Sequence, residues 1–125
     1  MGNPREDMRE RLSEYAIQCE SLERMETRLR RILNKLDSAE GLIKLVNEIE
    51  TQKSLCAASL EQLLKIISSF PIGGRKYEVL SLKYIDDMPW WKVGEKMYLS
   101  ESACRKLEQQ AIDELIQLNN TKKSP

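Results

Sequence analysis

From Met8 onward, apolar side chains recur at alternating steps of three and four: Met8, Leu12, Tyr15, Cys19, Leu22, Met25, Leu29, Ile32 and Leu36. That period draws one apolar stripe along a long amphipathic helix. Its start is marked by "NPRE", where Asn3 can accept from the first free amides, Pro4 suits the first helical position and Glu6 follows three residues after the cap. A second run follows, Ile43, Val46, Ile49, Cys56, Leu60, Leu63 and Ile67. Between the two stands "DSAEG", where Asp37 and Glu40 have the spacing of a capping box and a turn near Asp37 and Ser38 is expected.

If the chain reverses there, residues facing each other across an antiparallel pair have numbers summing to about 75, because both helices rise equally per residue. That sum pairs Ile32 with Ile43, Leu29 with Val46, Cys19 with Cys56, Tyr15 with Leu60, Leu12 with Leu63 and Met8 with Ile67, with one mismatch at Leu22 against Lys53. Two arms of about 30 residues, each roughly 45 Å long, are too slender to bury such a seam completely. The surplus apolar surface predicts contact with a second copy or with the C-terminal region. A single continuous helix in a parallel coiled coil fits the same pattern, since Gly41 weakens a helix without forbidding it.

"SSFPIGG" ends the second arm, as Pro71 stops the helix and two glycines permit a change of direction. After it, Tyr77, Leu80, Leu82, Tyr84 and Ile85 predict a short helix, "DDM" a turn with Asp87 as a possible cap, and Pro89 the first position of the next helix. In "PWWKVGEKMYLS", Trp90, Val93 and Met97 share a face, beside which Gly94 lets another helix approach closely. Ser100 can cap the last helix, whose expected core face is Cys104, Leu107, Ala111, Leu115 and Leu118; the opposite side carries Glu101, Ser102, Arg105, Lys106 and Gln109.

Composition narrows the chemistry. The 125 residues hold 20 basic and 20 acidic side chains, few glycines and prolines, and no histidine. No global field draws the chain to a polyanion, so any nucleic-acid contact must be local. The halves are alike, with 11 basic and 12 acidic residues over 1–70 and 9 and 8 over 71–125. The basic run "RLRRILNK", with Arg28, Arg30, Arg31 and Lys35, reads as a solvated helix face. Without histidine, a Gly-rich phosphate loop, a nucleophile elbow or clustered carboxylates, no enzymatic activity, metal site or cofactor is expected. Cys19, Cys56 and Cys104 lack metal-ligand spacing and read as small buried hydrophobes. No apolar run approaches the roughly 20 residues of a membrane span, and the charged start lacks a signal-peptide core. The expected location is the cytoplasm.

The segment "EVLSLKYIDDMPWWKVGEKMYLSESACRKLEQQAIDEL" resembles the helix-turn-helix of sigma factor region four, with Leu80, Leu82, Lys83, Tyr84, Val93, Met97, Ser100, Arg105, Ala111 and Leu115 at the matching positions. The whole chain, a long helical half followed by "FPIGGRKYEVLSLKYIDDMPWW", is similar to ArpU/RinA-type phage and prophage regulators, in which Tyr84 and Trp90 are typical. The departures are Gly94 for the usual Ala, Tyr98 for the Gly or Asn of the bend, Pro89 for a Ser or Thr cap, and Glu101, Ser102 and Ala103 where primary sigma factors carry base-reading residues.

The apolar pattern and the resemblance together predict an all-α protein: a helical hairpin or coiled coil over residues 1–70, a helix-turn-helix domain over 71–120 and a disordered tail over 121–125. The resemblance implies a phage- or prophage-encoded transcriptional regulator in a bacterial cytoplasm, acting on double-stranded promoter DNA or on RNA polymerase, with no membrane. Dimerisation through the hairpin would place two recognition helices on one duplex. In such a motif the second helix enters the major groove. Ser102 and Glu101 are then expected at base edges, Arg105 at a guanine or phosphate, and Lys106, Lys92 and Lys96 at the backbone, with Ser100 and Gln109 completing the surface. An adaptor that docks RNA polymerase or another host protein without touching DNA is the alternative, favoured by Glu101 near the tip of that helix.

Overall fold

The computed structural model describes residues 2–35 and 39–123, and among them every regular element is helical. Helix α1 spans Pro4–Lys35, α2 Ala39–Ile67, α3 Arg75–Leu80, α4 Trp90–Met97 and α5 Glu101–Lys123; a π turn, Ser81–Ile85, continues α3. The turn expected at Asp37 and Ser38, and Leu36 of the first stripe, lie outside the described residues. So do the last two residues of the tail expected over 121–125, while the backbone of 121–123 continues α5.

The start of α1 follows from its sequence. The Asn3 side-chain oxygen accepts from the Arg5 amide at 3.0 Å and from the Glu6 amide at 3.4 Å, so two otherwise orphaned donors are satisfied. Helices α1 and α2 then lie antiparallel. Gln18 meets Gln52, and the Cys19 thiol lies beside that of Cys56. The seam differs from the expected stripe in one respect. Leu45, Ile49, Gln52, Cys56, Leu63 and Ile67 face inward, whereas Ile43 and Val46 are exposed.

Gln52 explains the difference. Its amide nitrogen donates to the Gln18 carbonyl at 2.9 Å and to the Gln18 side-chain oxygen at 2.7 Å, so a polar residue sits in the seam with its donors satisfied. Rotating the face to admit Gln52 brings Leu45 in, turns Ile43 and Val46 out, and leaves Lys53, expected opposite Leu22, exposed beside Glu50.

The main core lies at the base of this pair. Met8 and Leu12 of α1, with Leu63, Ile67 and Phe70, pack against Val79, Leu80, Tyr84, Val93, Cys104, Ala111, Ile112 and Leu115. One apolar cluster thus crosses the Pro71 and glycine segment. Fully burying a side chain such as Leu80 or Ile112 contributes about 1.5–3 kcal/mol. On α5 Cys104, Ala111 and Leu115 face inward as expected and Leu107 is half-buried, but Leu118 is exposed, and Ile112 and Glu108 lie inside as well. Cys56 and Cys104 are buried, but Cys19 is only partly covered.

Salt bridges fasten α1 to α5. Arg5 binds Asp113 through Nε at 2.8 Å and the terminal guanidinium nitrogen at 3.0 Å, and Arg9 binds Glu108 in the same two-pronged way. Lys76 of α3 pairs with Glu114 of α5.

Candidate nucleic-acid interface

The surface is set by the junction of α4 and α5. Pro89 stands just before α4 with extended backbone, one position earlier than expected, and its carbonyl accepts the Val93 amide at 3.1 Å. At the other end of α4, Tyr98 adopts the left-handed conformation, φ 57°. The Tyr98 amide donates to the Glu95 carbonyl and the Leu99 amide to the Gly94 carbonyl, which closes the helix as a Schellman motif. A tyrosine here is strained where glycine would not be. The turn folds so tightly that a Cβ on Gly94 would stand 2.8 Å from the Leu99 carbonyl oxygen. Gly94 therefore serves the bend itself more than a helix crossing.

Ser100 then starts α5. Its hydroxyl oxygen accepts from the Ala103 amide at 3.1 Å and its carbonyl from the Cys104 amide at 3.0 Å. Because Cys104, Glu108, Ala111, Ile112 and Leu115 face the core, Glu101, Ser102, Arg105, Lys106 and Gln109 form an exposed strip along the opposite side. Lys92 and Lys96, one turn apart on α4, are exposed too. The residues picked out from the sequence are thus all on the surface, within two consecutive helices joined by one bend.

Three features were not legible in the sequence. Glu108 is 3% exposed although charged. Both its oxygens are occupied, by the Arg9 guanidinium at 2.8 and 3.0 Å and by the Tyr84 hydroxyl, which donates at 2.7 Å. Burial and the carboxylate it faces hold the Tyr84 phenol well above its ordinary pKa, while the Glu108 hydrogen bond is the largest cause that raises the Arg9 pKa. Next, the half-buried Trp90 ring draws two cations: Lys83 Nζ lies 4.9 Å and Arg105 Cζ 5.3 Å from its centroid. Finally, Arg9, Ser13, Lys83, Tyr84, Trp90, Arg105, Glu108 and Gln109 line a cleft of about 500 Å³ beside the strip. The available signal for Glu108 was its spacing, four residues after Cys104 and three before Ala111, in phase with the core.

Elsewhere, Arg28, Arg30, Arg31 and Lys35 are exposed toward the end of α1 farthest from its contacts with α5, as a solvated face would be. No group of three or more potential metal ligands occurs among the described residues, and no helix there is long and apolar enough to cross a membrane. No family model matches the chain, and comparison with the curated proteins and with the solved structures found no match to either.

Proposed function

We propose that the protein is a phage or prophage transcriptional regulator that binds promoter DNA through a sigma region four-like helix-turn-helix formed by α4 and α5. The observation that carries this reading is the exposed strip of Glu101, Ser102, Arg105, Lys106 and Gln109 on a helix set off by a left-handed bend and a serine cap. A helix with its outer face uncovered from the first turn can enter a major groove, with Ser102 at a base edge, Arg105 at a guanine or phosphate, and Lys92, Lys96 and Lys106 at phosphates.

The hairpin supports a dimer in the same reading. The accessible surface is 8759 Å², about 1,900 Å² above that of a compact monomer of this mass. A standard interface takes roughly 800 Å² from each partner. Exposed Ile17, Leu33, Ile43, Val46, Leu55 and Leu64 lie along the two arms, where a second copy would cover them.

Selection from a random duplex pool tests the reading. One sequence is enriched, and Arg105→Ala weakens its binding at least about tenfold, the size of one lost base or phosphate contact, with unchanged helical circular dichroism. Glu101 in the strip favours one other reading, an adaptor that docks RNA polymerase or another host protein. A pool with no enriched sequence, together with tight polymerase binding, establishes that adaptor instead.

A further inference from the structure

The cleft between α1, the π turn, α4 and α5 holds more positive charge than its own carboxylate can answer. Glu108, at its edge, is already bound by Arg9 on both oxygens and by the Tyr84 hydroxyl. That leaves Lys83 and Arg105. No carboxylate lies within salt-bridge distance of either among the described residues, and Lys83 has only the Met88 carbonyl, at 3.1 Å, as a hydrogen-bond acceptor. Both are drawn to the face or edge of one indole, which places the two charged groups no more than about 10 Å apart. Two cations at one ring, one of them half-buried and neither answered by a carboxylate, leave a local excess of positive charge that an anion would neutralise.

We infer that this cleft is a phosphate seat, in which Lys83 and Arg105 grip one phosphate group beside the Trp90 ring, with the Gln109 amide and the Ser13 hydroxyl on its rim. A phosphate accepts hydrogen bonds on all sides, and so suits a lysine and a guanidinium that approach from different elements. Its position fixes the source. Arg105 and Gln109 belong both to the cleft and to the exposed strip of α5. A duplex lying on that strip brings its own backbone to the cleft mouth, so the seated group is a backbone phosphodiester flanking the bound groove. This rests on the DNA-binding reading. It adds Lys83 and Trp90 to the contacts, and it gives α1 a part in them through Ser13 and through Arg9, which neutralises Glu108.

The test uses full-length protein carrying Trp91→Phe, so that Trp90 supplies the only indole N–H resonance. The probes are inorganic phosphate at millimolar concentration, against chloride of equal ionic strength, and a generic 20-base-pair duplex. Both probes shift the Trp90 resonance and chloride does not. Lys83→Met removes the response to phosphate and lowers the slope of log K against log salt for the duplex by about 0.9, the value of one phosphate contact; Lys83→Arg restores both. Lys92→Met weakens the duplex but leaves the phosphate response intact.

Three results overturn parts of the inference separately. A duplex that shifts the amides of Ser102 and Lys106 while Trp90 stays still removes the seat and leaves DNA binding standing. A phosphate response that persists in Lys83→Met places the anion elsewhere and removes the seat outright. No duplex binding, with a Lys83-dependent phosphate response, removes the DNA reading and leaves a seat for free phosphate.

Discussion

Replacing Arg9 by Met separates the ion pair at the α1–α5 junction from the packing around it, because Met keeps much of the aliphatic stem and loses only the guanidinium. The Glu108 carboxylate, 3% exposed, is then left with the Tyr84 hydroxyl as its one partner. Breaking a fully buried pair on one side costs about 3–5 kcal/mol. Arg9 is itself 38% exposed, so water reaches part of the vacated position and the expected loss falls to about 2 kcal/mol. Glu108→Gln in the same background removes the stranded charge and keeps an acceptor for Tyr84, which recovers at least half of that loss. Urea unfolding, followed by helical circular dichroism and tryptophan emission, measures both. A single variant within about 0.5 kcal/mol of the parent, or a double variant no better than the single, refutes the claim that Arg9 is what lets a carboxylate lie in this core.

Gly94→Ala lowers the melting temperature although alanine gains about 1 kcal/mol in helix propensity, because its Cβ meets the Leu99 carbonyl at 2.8 Å; a rise would show that the bend yields. Tyr98→Gly raises stability by about 0.5–1 kcal/mol, the left-handed strain relieved less the backbone entropy of glycine, since its side chain is 94% exposed and loses little packing. Mild oxidation links Cys19 to Cys56 within one chain, the oxidant taking two electrons and two protons, detectable as a mass loss of two hydrogen atoms under denaturing conditions, while Cys104, buried with its thiol pKa raised by that burial, reacts with Ellman's reagent only on unfolding. Tyr84 keeps its proton in the folded chain at pH values where an unfolded tyrosine, near 10, has lost it. Its contribution to stability is therefore complete below about pH 10 and declines as pH rises beyond it, so Tyr84→Phe unfolds with a shallower alkaline slope than the parent.

Helix limits and caps were legible where a residue has one strong local role. Asn3 and Ser100 cap helices because a short oxygen-bearing side chain can reach the first free amides, and Tyr98 is left-handed because the chain must reverse between two apolar runs. The inward face of α2 was read correctly at Ile49, Cys56, Leu63 and Ile67 but misread near its start, because steps of three and four permit two phases. The purely apolar phase through Ile43 and Val46 lost to one that includes Gln52, whose hydrogen bonds to Gln18 exist only once α1 is beside it. Glu108 stayed hidden for the same reason, since its partners Arg9 and Tyr84 come from elements far apart in the chain. The strip on α5 could be read because exposure follows from one helix's own period. The gathering of Lys83, Trp90 and Arg105 could not, because each comes from a different segment.

The bonds from Arg5 to Asp113 and from Arg9 to Glu108 span 108 and 99 residues of chain. On a ribosome adding about 5–20 residues per second, α1 waits about 5–20 seconds for the helix to which these bonds tie it. During that interval the Met8 and Leu12 side chains have only the cover that α2 gives them, and a nascent-chain chaperone has its clearest opportunity to bind them. A release assay on stalled chains of increasing length should therefore place the onset of protease resistance for the start of α1 after residue 113 has cleared the exit tunnel.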